Sequence, residues 1–292
     1  MFKKTLIISD LSTSSEAAIN CMSNLKSLGV EDVILFYACD VKYLDTIAEL
    51  IKQSVESDLL KQKQILESFG LKTTIEIAPG IRSDELKRII KEKDVSLIVI
   101  GSPGERVGSR KFFWFGGVTS DVLHNHEIPV LLIRTSASEE KGEHKIQSLY
   151  QNLKGRILFA TDFSEISLQA LLYVEKLVES GCKKVTLLHV QDKVRIESHL
   201  SDKLDEFNRI DSERLENYKK QLMGKGAEEI DIKIVYGLPS KEIIQASKEG
   251  YSLIVMGSQG RGFFKEIFIG SVSHNVARDA ETSVILVPAK TR

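Results

Sequence analysis

The sequence predicts an α/β protein of two tandem domains, each a doubly wound, five-stranded parallel sheet. Three observations predict it. Four segments recur in the same order at a nearly constant offset. Short runs of Val, Ile and Leu alternate with stretches of helical period. A glycine-rich segment follows the fourth apolar run of each half.

The repeat is the strongest of the three. "LIISDLS" (Leu6–Ser12) matches "ILFATDFS" (Ile157–Ser164), so that Asp10 falls on Asp162 and Ser12 on Ser164. "DVILFYA" (Asp32–Ala38) matches "KVTLLHV" (Lys184–Val190), and "VSLIVIGSPG" (Val95–Gly104) matches "YSLIVMGSQG" (Tyr251–Gly260). "FGGVTSDVLHNHEIPVLLIR" (Phe115–Arg134) matches "IGSVSHNVARDAETSVILVP" (Ile269–Pro288). Ordered matches at a steady offset point to duplication.

Taken in order, the second half has strands at Arg156–Ala160, Lys184–Val190, Ile230–Tyr236, Leu253–Met256 and Val284–Val287. Unbroken Val/Ile/Leu runs suit parallel strands buried on both faces. "TDFSEISLQALL" starts a helix after the first strand. Between the second and third strands, Leu200, Leu204, Phe207, Leu215, Tyr218 and Leu222 recur at helical spacing among charged residues. The first half carries Ile47, Ile51, Val55, Leu59, Leu66 and Phe69 in the same place. After the fourth strand, "SVSHNVARDA" reads as a further helix. Strands alternating with helices imply right-handed crossovers and a doubly wound sheet. The polar stretch Thr135–Lys154 reads as a linker, which gives domains 1–141 and 142–292.

In a doubly wound sheet, ligands bind beyond the carboxyl ends of the strands, where the strand order reverses. "MGSQGRGFFKEIFIGSVS" (Met256–Ser273) opens onto that crevice with the spacing G-x2-G-x9-G-S. Gly257 is expected to let a ligand approach the backbone and Gly260 to make a left-handed turn. Gly270-Ser271 opens a helix whose free N–H groups and partial positive charge suit phosphate. Ser271 and Ser273 add hydroxyl donors, and Ser271 also fits an N-cap. Arg261 and Lys265 lie within reach of phosphate oxygens, with Lys265 reading more as solvated charge. Asp162 has two roles open: acceptor for a ligand's amine or hydroxyl, or a local cap of the following helix. His189 could stack on or bond a ligand's base, but as a histidine ending a buried strand it reads more as packed.

These features together resemble the universal stress protein family: the G-x2-G-x9-G-S spacing, the Asp of "ATDFS", the "LLHV" strand end and the "YGLPSKEI" segment. The resemblance spans nearly the whole chain as two tandem domains. It implies an adenine-nucleotide alpha hydrolase-like fold with strand order 3-2-1-4-5. It further implies ATP, ADP or AMP, with or without Mg²⁺, bound in the second domain. Ribose and phosphates would lie on Gly257, Gly260, Gly270 and Ser271, flanked by Met256, Arg261, Val272 and Ser273. Asp162, Val190, Gly237 and Pro239 would form the adenine side. Single-domain members dimerise through the last strand, which implies an internal pseudo-dimer here and leaves room for a homodimer of chains.

The first half departs from the pattern. Gly101 and Gly104 are present, but nine residues further on stands Trp114, and the glycine pair comes late at Gly116-Gly117. Gly117 replaces the serine, Arg82 replaces Pro239, and "GSRKFFWF" (Gly108–Phe115) inserts basic and aromatic residues. An altered site that holds phosphate less well is expected.

Composition excludes several classes. With 40 Lys plus Arg against 41 Asp plus Glu, the net charge is −1, and no basic field favours nucleic acid. Three scattered cysteines give neither a disulfide frame nor a zinc site. No apolar run approaches the roughly 20 residues of a membrane span, and the N-terminal run is short for a signal peptide, so a cytoplasmic location is expected. The G-x4-G-K-[ST], G-x-S-x-G and H-E-x-x-H motifs are absent. No nucleophile is paired with an evident base. A nucleotide-binding stress-response regulator is therefore expected ahead of a slow ATPase or a nucleotide- or phosphoryl-transfer enzyme.

Overall fold

The computed structural model describes residues 2–39, 47–79, 83–103, 120, 122–124, 127–140, 143–148, 153–194, 204–260 and 269–289. The chain divides into two units, Met1–Gln151 and Asn152–Arg292.

In the first unit, β1 (Lys4–Ser9), α1 (Thr13–Asn20), α2 (Met22–Lys26), β2 (Asp32–Cys39), α3 (Ile47–Ser68), β3 (Lys72–Pro79), α4 (Ser83–Glu92), β4 (Leu97–Pro103) and β5 (Val130–Glu140) follow the expected alternation. The second unit repeats it with β7 (Arg156–Thr161), α5 (Glu165–Glu179), β8 (Lys184–Asp192), α6 (Leu204–Gly224), β9 (Glu229–Gly237), α7 (Pro239–Ser247), β10 (Leu253–Gly257), α8 (Ser271–Asp279) and β11 (Val284–Val287). Within each unit the strands lie in the order 3-2-1-4-5: β3-β2-β1-β4-β5 and β9-β8-β7-β10-β11. All of these pairings are parallel. The reversal therefore falls between β1 and β4 in the first unit and between β7 and β10 in the second.

The central strands are buried because both faces carry helices. Ile157, Leu158, Phe159, Leu253, Ile254 and Val255 are fully buried, and Ile166, Ala170, Leu171, Val174, Leu177 and Val178 of α5 lie in the same core. Each such Leu, Val or Ile contributes about 1.5–3 kcal/mol.

The turn from first strand to first helix is built identically in both units. Phe163 (φ 62°) and Leu11 (φ 59°) sit in the left-handed region, at a cost of about 1–2 kcal/mol. Two bonds to the backbone offset it. The Phe163 N–H donates to Thr161 Oγ1 (3.1 Å) and the Ser164 N–H to Asp162 Oδ1 (3.0 Å). In the first unit Leu11 donates to Ser9 Oγ (3.2 Å) and Ser12 to Asp10 Oδ1 (3.0 Å). Ser164 then caps α5 by accepting from the Ser167 N–H (3.2 Å), and Ser12 caps α1 from Ser15 (3.3 Å). The repeated Asp-x-Ser is thus a turn-and-cap device, with the serine and not the aspartate as the cap.

Residues expected to form a linker are partly strand. β5 continues to Glu140, and β6 (Glu143–Ser148) pairs with it antiparallel from Thr135↔Ser148 to Glu140↔Glu143. The first compact unit takes in this ribbon and runs to Gln151. A ribbon held by backbone bonds needs no apolar face, so its sequence carries no alternation to read.

Candidate functional site

A pocket of about 870 Å³ opens at the carboxyl ends of β7, β8 and β10, at the reversal of strand order in the second unit. Thr161 and Asp162 come from the end of β7, and His189, Val190, Gln191 and Asp192 from the end of β8. Met256 and Gly257 end β10, Gln259 and Gly260 follow it, and Gly270–Ser273 open α8. The remaining wall is helical: Phe207, Ile210, Asp211 and Arg214 of α6, with Pro239 and Ile243 of α7. Of the expected site residues, Asp162, Val190, Pro239, Met256, Gly257, Gly260, Gly270, Ser271, Val272 and Ser273 line this one pocket. Gly237, at the end of β9, is buried beside Glu242 and is not among the lining residues. Arg261 and Lys265 lie outside the described residues, as does the altered glycine loop of the first unit with Arg82.

The geometry bears on the roles of several of these residues. A Cβ on Gly257 would meet Ile166 Cγ2 at 2.9 Å and Ile166 C at 3.3 Å, so the packing of helix α5 by itself requires this glycine, which also lines the pocket. Gly101 is its twin, where a Cβ would fall 2.0 Å from the Ser14 carbonyl oxygen. Gly260 is not left-handed; its missing Cβ leaves room for Asp162 Oδ2, which would stand 2.6 Å from it. Ser271 is the first residue of α8 and Gly270 the N-cap, with φ −75°, ψ 155° and no side-chain capping bond. Ser273 is 2% exposed, and its hydroxyl bonds the Ser258 carbonyl at 2.5 Å and the Gly270 carbonyl at 2.9 Å. Ser273 therefore fastens the loop to the helix, which leaves Ser271 as the hydroxyl of that pair fitted for a ligand. The Gly270 N–H is likewise engaged by the Ser258 carbonyl at 2.7 Å.

The model of the universal stress protein family matches residues 1–134 and again 154–288. The chain belongs to this family. A universal stress protein of Methanocaldococcus jannaschii is 36% identical over 155 residues, which is 46% of this chain and 95% of that protein. One from Mycolicibacterium smegmatis is 21% identical over 293 residues, covering 95% of this chain and 94% of its own. The crystal structure of a universal stress protein from Archaeoglobus fulgidus superposes over 98% of both chains with a TM-score of 0.73 at 24% identity, a likeness of fold.

In this universal stress protein the α6 wall is what sequence reasoning missed. Asp211 is 7% exposed and lies 3.4 Å from His189 Nε2, while Gln191 Nε2 donates to the same oxygen at 3.2 Å. The Arg214 guanidinium stands 3.5 Å from Asp211 Oδ1 and 5.1 Å from the centre of the Phe163 ring. Phe163 in turn lies 4.5 Å from the His189 ring and 6.0 Å from that of Tyr218. Burial raises the Tyr218 phenol above its usual range; Arg214 lowers it and Asp162 raises it by charge. A signal existed: Asp211 stands on the apolar stripe of α6, four residues before Leu215. Among the described residues no group of three or more His, Cys, Asp and Glu is placed to hold a metal ion. Among them, too, no helix is long and apolar enough to cross a membrane.

Proposed function

We propose that this universal stress protein binds an adenine nucleotide in its second unit and acts as a cytoplasmic stress-response regulator that reads nucleotide level through occupancy. One observation carries this reading: the first turn of α8, capped by Gly270 without a side-chain bond, faces a pocket at the sheet's reversal point. Unsatisfied first-turn N–H groups and the helix dipole suit phosphate. Pockets for small ligands span roughly 300–1,000 Å³, so 870 Å³ is ample for a nucleotide. The apolar side chains of Val190, Phe207, Ile210, Pro239 and Met256 supply the surface for a purine, and Asp162 supplies a carboxylate for its amine or hydroxyls. ATP, ADP and AMP all meet these terms, and Mg²⁺ would ride on the phosphates of the first two.

The test is mass spectrometry of ligand released from the purified chain, followed by calorimetric titration. One tightly bound nucleotide per chain is expected, because the first half lacks the G-x9-G-S spacing. Gly270→Val should weaken binding by about 1.5–3 kcal/mol, the worth of charge-assisted hydrogen bonds. Unchanged affinity in the folded variant would remove the phosphate assignment. Two equal sites would show that the altered loop of the first half is competent. Rapid conversion of ATP would favour the hydrolase or transferase alternative.

A further inference from the structure

The two units are an internal control for one another, and they differ at the wall of α6. The first-strand to second-strand register pairs Ser9 with Tyr37 and Thr161 with His189, so Tyr37 occupies the place of His189. The long helices align on their fully buried leucines, Leu59 with Leu215 and Leu66 with Leu222, and on the left-handed glycines that follow, Gly70 and Gly226. Val55 then stands where Asp211 does, Asp58 where Arg214 does, and Gln62 where Tyr218 does. The first unit ties its helix to its sheet through Ser9 Oγ donating to Gln62 Oε1 at 2.8 Å. The second ties its helix through Asp211 to His189 and Gln191. The same fold therefore forms with an apolar residue at this point. A buried carboxylate is a weak stabiliser compared with a packed apolar side chain, so the fold does not explain Asp211.

Its contacts suggest what does. Asp211 Oδ2 meets both residues that flank Val190, the β8 residue on the purine side of the pocket. His189 Nδ1 faces the Thr161 carbonyl at 2.8 Å, and since a carbonyl only accepts, that nitrogen carries a proton. Nε2 faces a carboxylate, which also only accepts. The imidazole satisfies both neighbours when both nitrogens are protonated. Among the described residues, the other charged groups lining the same pocket are Arg214, held against Asp211 and Phe163, Asp162 at the end of β7 and Asp192 on β8 itself. We propose that Asp211 is a positioning residue: by holding the His189 imidazolium and the Gln191 amide it fixes the Val190 segment for the base of the nucleotide, and affinity falls as His189 loses its proton. This rests on the nucleotide reading above.

The experiment uses the full chain. ADP affinity is measured by calorimetry from roughly pH 5.5 to 8.5, the range in which histidine titrates, for the wild type, Asp211→Asn and Asp211→Val. In parallel, NMR follows the His189 ring nitrogens and the Val190 amide without nucleotide, with His189→Gln giving the assignment. Wild-type affinity should fall about tenfold with rising pH relative to both variants, the ratio that one pKa unit of coupling carries. Comparison at one pH with the same ligand cancels titration of the phosphates. Asp211→Val copies the first unit and guards against a misfolded Asp211→Asn. The Val190 amide should shift with the His189 titration in the wild type and not in the variants. A wild-type profile parallel to that of Asp211→Val, or a Val190 amide indifferent to His189, overturns the proposal. If no adenine nucleotide binds at any pH, the nucleotide reading fails, and the Val190 readout still decides the role of Asp211.

Discussion

A methyl group on Gly257 runs into helix α5, and one on Gly101 runs into the carbonyl of Ser14. On Gly270 it finds nothing closer than Gln259 Cα at 3.4 Å, an ordinary contact. The three glycines look alike in sequence and should behave differently in solution. Gly257→Ala should cost about 1–3 kcal/mol through overpacking, and Gly101→Ala more, because its obstacle is backbone. Gly270→Ala should stay within about 0.5 kcal/mol of the wild type. Urea midpoints at constant m-value measure all three. A Gly257→Ala chain as stable as the wild type would show that α5 yields at Ile166. The spacing located this loop at the mouth of the pocket but could not say which atoms each glycine avoids. For Gly257, Gly260 and Gly101 the obstacles include Ile166, Asp162 and Ser14, each distant in sequence from its glycine.

At the scale of the element, strands were legible because a parallel strand buried on both faces must be apolar throughout, as Leu253–Gly257 and Val284–Val287 are. The helices α5 and α8 were legible at their starts for a different reason: Ser164 and Gly270 mark them. Ser164→Ala removes the acceptor for the Ser167 N–H and should destabilise the chain by about 1 kcal/mol, read as a lower thermal midpoint. No change would mean that the Asp162 turn alone holds the helix start. The β6 hairpin was illegible because its strand residues are polar, and Asp211 was passed over because its partners His189 and Gln191 lie on β8. The period of α6 marks Asp211 only as a polar residue on an apolar stripe; it does not name the partners on β8.

For the whole molecule, the terminal strand β11 is Val-Ile-Leu-Val, an apolar edge in its unit's order, whereas β9 at the other end carries charged residues along its length. Apolar edges are normally covered. If the two halves serve as each other's partner, a fragment of residues 152–292 should self-associate to replace the missing half. Sedimentation would detect it as a dimer or larger species. A monomeric fragment at high concentration would remove the internal pseudo-dimer and leave association of whole chains to be explained otherwise.

The fit of Gly101 against Ser14 also bears on how such chains should be surveyed. Gly101 persists in a half whose loop spacing has been lost, because helix α1 demands it whether or not anything binds. A glycine at the end of the fourth strand is therefore uninformative about ligand competence, and a duplicated chain would retain it long after a site decayed. Diagnostic weight belongs to positions the backbone leaves free to drift: Gly270, Ser271 and Asp211. A census of tandem chains scored on those three would sort binding halves from scaffolding halves, where one scored on the first glycine would count them all as competent.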